Sequence, residues 1–231
     1  MLRKWEQLPD FMKNDAVRKY YDILERKRLS LVLKRFFDIV IAVILLILLA
    51  IPMLIIAIMI KLDSPGPVFY RQERVTTYGK KFRIHKFRTM VNNADKIGTA
   101  VTVGGDSRIT KVGKKIRDCR LDELPQLIDV LQGNMSFVGT RPEAVKYVEC
   151  YTDEMYATLL MPAGITSEAS IRFKDEAKLL NNVENVDKVY AEEVLPQKMK
   201  INLKYVKKFS CVGEVETMLR TVLAVFGKKY E

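Results

Sequence analysis

The sequence has a single histidine, His85, and three cysteines, Cys119, Cys150 and Cys211, set far apart with no CxxC pair. A tetrahedral zinc site needs four such ligands at close spacing, so none is expected. An odd, scattered set of cysteines is also a poor disulfide framework and suits reduced thiols in a cytosolic compartment. Glycine and proline, 11 and 8 of 231 residues, are too few for a collagen-like or low-complexity chain, and no internal repeat is present. With 48% apolar and 29% charged residues the chain reads as a globular protein of one domain with additions, or two small ones. The lone histidine is read as structural rather than as a general base.

Charge is missing altogether from one stretch. The twenty-two residues from Ile39 to Ile60, IVIAVILLILLAIPMLIIAIMI, carry none, and about twenty apolar residues suffice to cross a bilayer. A cleaved signal peptide fits badly, because a long, mostly polar stretch precedes the run and no small-residue cleavage site follows. Arg26, Lys27, Arg28, Lys34 and Arg35 lie before it, and Lys61, Arg71, Arg74, Lys80, Lys81 and Arg83 after it. Cations at both ends favour the cytoplasmic side for both. Pro52, just past the middle, removes a backbone hydrogen bond and can bend the helix back. A re-entrant helix meets both observations, with a straight span that tolerates its proline as the alternative. The expected units are an N-terminal amphipathic, interfacial extension over 1–33, the membrane helix over 34–62 and a cytosolic domain over 63–231. In the extension, Val17, Tyr20, Tyr21, Ile23 and Leu24 have roughly helical spacing, which suits the interface plane or an ordinary solvated helix.

The net charge is +11, and residues 1–35 and 61–117 hold ten and fourteen Lys/Arg against five and four Asp/Glu. The excess cations therefore flank or follow the apolar run, which points to a polyanionic partner near a membrane surface. Nucleic acid is the rival partner, and a membrane-tethered polyanion-binding module without catalysis is the alternative function.

Beyond the turn Ser64-Pro65-Gly66-Pro67, alternation over Val68–Tyr70 and Phe82–Arg88 around Tyr78-Gly79 predicts a β-hairpin. Phe82, Ile84, Lys86 and Arg88 share one face of its second strand, so Lys86 and Arg88 would present two cations to an anion; solvated edge charges fit equally. Leu124, Leu127, Ile128 and Leu131 form the stripe of a helix ending near Gly133, with Asp122 at its N-terminus and Glu123 in its first turn. The pair reads as a cap. It also reads as a carboxylate nucleophile for a phosphoryl group, with Arg117, Arg120 and Arg141 as counter-charges and a divalent cation as further help. Val186–Phe209 looks helical, and Val215, Met218, Leu219, Val222, Leu223 and Phe226 form an amphipathic stripe before Gly227-Lys228-Lys229, fit for the bilayer interface or for packing on the core.

Five ordered strings, KRFFDIVIAVILLILLAIP, SPGPVFYRQERV, KFRIHKFRTM, RLDELPQLIDVLQGNMSFVGTRPE and PAGIT, resemble the bacterial sugar transferases, the monotopic phosphoglycosyl transferases or polyprenyl-phosphate hexose-1-phosphate transferases. The match covers about residues 34 to 166. It implies transfer of a sugar 1-phosphate from a UDP-sugar to undecaprenyl phosphate, which begins the assembly of capsule, exopolysaccharide or O-antigen units. It implies Asp122 as the nucleophile that becomes an aspartyl-phosphosugar, Glu123 as its partner, and Mg2+ held by Asp122 and Glu123. Lys86, Arg88, Arg117, Arg141 and Pro142 are the expected substrate-binding residues, and the helix bent at Pro52 the re-entrant anchor. The implied fold is α+β: a mainly helical cytosolic domain with a small β-hairpin, on the cytoplasmic side of a bacterial inner membrane. Its expected partners are the UDP-sugar, undecaprenyl phosphate, membrane lipids and a possible second copy in a homodimer, and not nucleic acid. The chain departs from the family pattern at Ile51, where many members have serine, and at Thr140, which replaces the first proline of Pro-Arg-Pro. After Thr166, SEASIRFKDE replaces an aromatic- and glycine-containing continuation. Sugar recognition is expected to depend partly on this loop, in which Arg172 and Lys174 read as ligand contacts or as surface cations.

Overall fold

The computed structural model describes residues 2–94, 106–174 and 185–225. Two 3-10 turns, Trp5–Gln7 and Asp10–Met12, lead into helix α1, Asp15–Glu25. The Asn14 side chain caps α1 by accepting from Val17 N at 2.8 Å. The stripe Val17, Tyr20, Tyr21 and Leu24 is buried, in one cluster with Leu160, Leu195, Met199, Val206 and Phe209. The apolar side of α1 therefore faces the protein interior.

Helix α2 runs from Arg28 to Asp63, 36 residues, continuously through Pro52. Among the described residues it is the one helix long and apolar enough to cross a membrane. One face, with Lys34, Asp38, Ala42, Ile56 and Ile60, is buried against the rest of the protein, whereas Ile47, Leu48, Ile51, Leu54 and Leu62 on other faces are exposed, Leu62 to 83%. Near its start Arg35 Nη1 donates to Val130 O at 2.6 Å, and Asp38 accepts from Ser136 Oγ at 2.8 Å and Phe137 N at 3.2 Å. Near its end Ile60 packs with Phe87 and Ile116, and Asp63 accepts from Val112 N at 2.9 Å. Both ends and the middle thus rest on one body, and α2 lies along that body rather than leaving it.

Strands β1, Phe69–Val75, and β2, Lys81–Phe87, form the expected antiparallel hairpin, closed where Tyr78 and Gly79 take φ of 59° and 77°. Its register places Tyr70 opposite Lys86, Gln72 opposite Ile84 and Arg74 opposite Phe82, so these six share a face. Phe82 and Ile84 pack with Ala42 of α2 and with Leu127 and Val130.

Arg88 does not join Lys86 in facing an anion. It is buried at the end of α2, donating to Ser64 O at 2.6 Å, Pro65 O at 2.7 Å, Ser64 Oγ at 3.0 Å and Ile60 O at 3.4 Å. The last carbonyls of a helix lack intrahelical donors, and a guanidinium fork supplies several at once. Gly66, at φ 126°, lets the chain pass: a Cβ there would lie 2.0 Å from Arg88 Nη1. Arg88→Met is expected to cost about 2–3 kcal/mol through these charge-assisted bonds, and urea unfolding in detergent checks it; a loss under about 0.5 kcal/mol, as at an ordinary surface site, would reject this role.

The chain continues through α3, Lys111–Asp118, α4, Gln126–Leu131, β3, Met135–Val138, α5, Val145–Val148, and β4, Ala163–Thr166. Strands β3 and β4 pair in parallel as a second sheet absent from the sequence reading. At its end the backbones cross so closely that a Cβ on Gly164 would lie 2.2 Å from Gly139 N. Then follow α6, Glu168–Arg172, α7, Val186–Val189, a π-helical turn Tyr190–Val194, α8, Leu195–Lys208, and α9, Cys211–Val225. The described residues thus form an α+β fold, mostly helical, with two small sheets. On α9, among the described residues, Glu214 is buried, while Val212, Val215, Leu219, Val222 and Leu223 are exposed, Val212 to 78%. The helix therefore turns an apolar stripe outward, and Phe226 and Gly227-Lys228-Lys229 lie outside the described residues.

Candidate active site

Asp122 and Glu123 do not cap the helix expected to start beside them. They sit in a 3-10 turn, Leu121–Glu123, entered through Arg120 at φ 55°, and α4 begins only at Gln126 after Pro125. Pro125 carries no N–H for a side chain to cap, and the backbone reaches α4 through tight bonds, Leu124 N to Leu121 O at 3.2 Å and Leu127 N to Leu124 O at 3.2 Å. The positive field on the pair therefore comes from side chains rather than from a helix end.

Glu123 takes most of that field. Lys86 Nζ from β2 donates to its Oε1 at 2.8 Å, and Arg141, from the loop after β3, donates Nη1 to Oε2 at 3.1 Å and Nη2 to Oε1. Burial opposes ionisation of Glu123, but Arg141 and Lys86 outweigh it and hold the carboxyl well below the ordinary range. The Glu123 carboxylate in turn raises Arg141, while burial lowers Lys86 against the pull of the same carboxylate. Glu123 and Arg141 are therefore an ion pair at neutral pH.

Among the described residues Asp122 accepts no hydrogen bond from the protein, although it is half-buried. Burial pushes its carboxyl above the ordinary range and the Glu123 charge adds to the shift, while Lys86, Arg117 and Arg141 pull the other way without cancelling it. Arg117, in the last turn of α3, acts on Asp122 through its field. The turn thus holds one carboxylate locked into ion pairs and one left available for a reacting group.

The loop that delivers Arg141 is fixed on its other side by β1. Val75 N donates to Glu143 O at 3.0 Å and Arg74 Nη1 donates to Pro142 O at 3.3 Å, so buried Pro142 serves as a backbone anchor for that loop. In the sequence Arg74 is read only as a cation flanking the apolar run; alternation places it two residues from Gln72 and four from Tyr70, on the face that Lys86 shares, which is the signal that could have found it. His85 is structural, with its N and Nδ1 both 2.8 Å from the buried Asp129 carboxylate.

On the α2 side of Glu123 and Arg141 lies a cavity of about 310 Å³. Its walls are largely apolar: Leu45 and Leu49 of α2, Leu124, Leu127, Phe137, Ile165 and Ile171, closed by Thr221 and Ala224 of α9. Arg120 and Lys174 stand at its charged end beside Glu123 and Arg141. Arg172 is instead paired with Glu168 at 2.8 Å, and Glu168 also holds Arg220 at 3.0 Å.

Magnesium commonly binds through one or two carboxylates plus phosphate and water oxygens. Asp122, with no protein donor on it, and the lone pair that Glu123 has left after three bonds fit such an ion, provided that a phosphate ligand fills most of its shell.

The model of the bacterial sugar transferase family matches residues 29–228. The chain belongs to that family. The chain is 37% identical over 206 residues to the UDP-N-acetylgalactosamine-undecaprenyl-phosphate N-acetylgalactosaminephosphotransferase of Aeromonas hydrophila, covering 85% of this chain and 45% of that protein. It is 36% identical over 192 residues to the UDP-glucose:undecaprenyl-phosphate glucose-1-phosphate transferase of Caulobacter vibrioides, covering 82% and 68%. With the exopolysaccharide production protein PSS of Rhizobium leguminosarum bv. phaseoli it shares 41% over 151 residues, covering 62% and 76%. The chain therefore spans less than half the length of the Aeromonas relative.

Proposed function

We propose that this sugar transferase moves a sugar 1-phosphate from a UDP-sugar to undecaprenyl phosphate through an ester on Asp122, initiating the assembly of an extracellular polysaccharide. The observation that carries the reading is the available Asp122 carboxylate next to the Lys86–Glu123–Arg141 ion cluster, of which Glu123 and Arg141 also line an apolar cavity walled by α2. An Asp122 oxygen attacks the sugar-bearing phosphorus, the bond from that phosphorus to the bridging oxygen breaks, and UMP leaves with the electron pair. A phosphate oxygen of undecaprenyl phosphate then attacks the same phosphorus and frees the Asp122 carboxylate. Two anions must meet in each step, and Lys86, Arg117 and Arg141 offset that repulsion from fixed positions. Mg2+ held by Asp122, Glu123 and the donor phosphates would add charge neutralisation on the diphosphate. The Aeromonas and Caulobacter relatives, named for transfer to undecaprenyl phosphate, support the choice of acceptor.

The membrane pose follows from α2 and α9. Both turn exposed apolar residues outward, and both ends of α2 are held by one body, which supports a helix that enters and leaves the lipid from one face, with Pro52 relaxing its backbone. The catalytic body then lies on the cytoplasmic face of the inner membrane, where the water-soluble donor and the lipid headgroup reach one carboxylate.

The test is UMP release by the full chain in detergent with Mg2+, undecaprenyl phosphate and a panel of UDP-sugars. Sustained release is expected with lipid and at least one donor, and without lipid at most one UMP per enzyme. No release with any donor, or multiple turnovers without lipid, would overturn the assignment.

A further inference from the structure

A second cavity, of about 160 Å³, lies farther along α2. It is lined by Phe37, Asp38 and Ile41 of α2, by Cys211, Glu214, Val215 and Met218 of α9, and by Phe137. Phe137 also lines the cavity at the active site. The two spaces follow one seam, because α9 advances alongside α2: Cys211 lies by Ser30, Glu214 by Lys34, Met218 by Ile41, and Thr221 and Ala224 by Leu45 and Leu49. From Phe37 to Leu49 the seam is about 18 Å long at the helical rise per residue.

The polar groups along it are matched to one another. Lys34 is paired with Glu214 and donates to Val138 O at 2.9 Å, Asp38 is held by Ser136 and Phe137 N, and the hydroxyls of Thr166 and Thr221 are 2.7 Å apart. The seam thus offers a guest apolar contact and little else. At its inner end stand Glu123 and Arg141, and at its outer end Phe37 and Val215 are open to the side on which α2 is apolar and exposed.

We propose that the seam between α2 and α9 is the track for the polyprenyl chain of the lipid acceptor, with several isoprene units threaded past Phe137 and the remainder leaving into lipid beside Phe37 and Val215. The proposal rests on the transferase reading above. Three features select this guest. The inner cavity is lined by Glu123 and Arg141, next to Asp122 in chain and in charge cluster, so a chain that continues from the acceptor phosphate has the seam directly before it. Phe137 lines both spaces, so a thin, flexible chain running along the seam meets it in each. The outer end meets the bilayer, so the long tail need not be folded inside the protein.

Met218→Trp fills the outer cavity, which neither Asp122 nor Glu123 lines. The expected result is unchanged formation of the sugar-phosphate adduct from UDP-sugar alone, read by intact mass, with a KM for undecaprenyl phosphate raised at least about tenfold. A ten-carbon prenyl phosphate, too short to run the length of a seam of about 18 Å, is expected to keep its KM. Where Met218→Trp fails to fold, shown by loss of the adduct, Ile41→Phe on the opposite wall is measured in the same way. An unchanged KM for the long acceptor, or equal shifts for both acceptors, would overturn the track. So would native mass spectrometry showing a retained phospholipid that undecaprenyl phosphate does not displace. Absence of the adduct in the wild-type enzyme under turnover conditions would instead remove the covalent reading on which the track is built.

Discussion

Replacing Asp122 by Asn is expected to lower UMP release at least about a thousandfold and to abolish the sugar-phosphate adduct, because an amide cannot be esterified by the donor. Melting temperature is expected to hold or rise. The Asp122 carboxyl titrates higher in the folded protein than in the unfolded chain, so the stability it contributes is present in acid and lost as pH rises through the folded value. At neutral pH the half-buried carboxylate therefore works against folding, and Asn relieves it. For the same reason wild-type turnover is expected to decline on the acid side at a pH above that of an ordinary aspartate. A variant that keeps turnover, or loses it only through unfolding, contradicts the assignment of the nucleophile.

Lys34→Met is expected to destabilise the protein by about 3–5 kcal/mol, the range for leaving one partner of a buried ion pair uncompensated. Lys34 and Glu214 lie 180 residues apart in sequence and are both buried, with Tyr205 OH donating to the other Glu214 oxygen. The double variant Lys34→Met, Glu214→Met is expected to recover most of the loss, because the desolvation cost of both charges disappears with them. Urea unfolding in detergent measures both. A single variant within about 0.5 kcal/mol of wild type, the usual range of a surface site, would show the pair to be solvated in the folded protein.

The hairpin was legible because seven-residue strands give alternation room to declare itself around Tyr78-Gly79. Strands β3 and β4, four residues each and far apart in the chain, carry too little period to be seen. The grouping of Lys86, Glu123 and Arg141 beside Asp122 followed from the family motifs, but its electrostatics did not: the stripe of α4 pointed to a helix start at the dyad, and Pro125 moved that start downstream. Alternation set the face of Arg88 correctly and gave no sign that the last turn of α2 would arrive there. The stripe on α9 was visible as a pattern, yet amphipathicity alone does not say which side faces out; that was decided by Glu214 finding Lys34 within the fold.

The way α2 is shared between two environments bears on how the protein can be handled. Its inner residues Ala42, Leu45, Leu46 and Leu49 pack with Phe82, Ile84, Leu127 and Val130, so excising the helix to obtain a water-soluble fragment would strip a wall from the interior and expose these partners. Solubilisation has to proceed by recoding the outward residues Ile47, Leu48, Ile51, Leu54 and Leu62 to polar types while the inward set is kept.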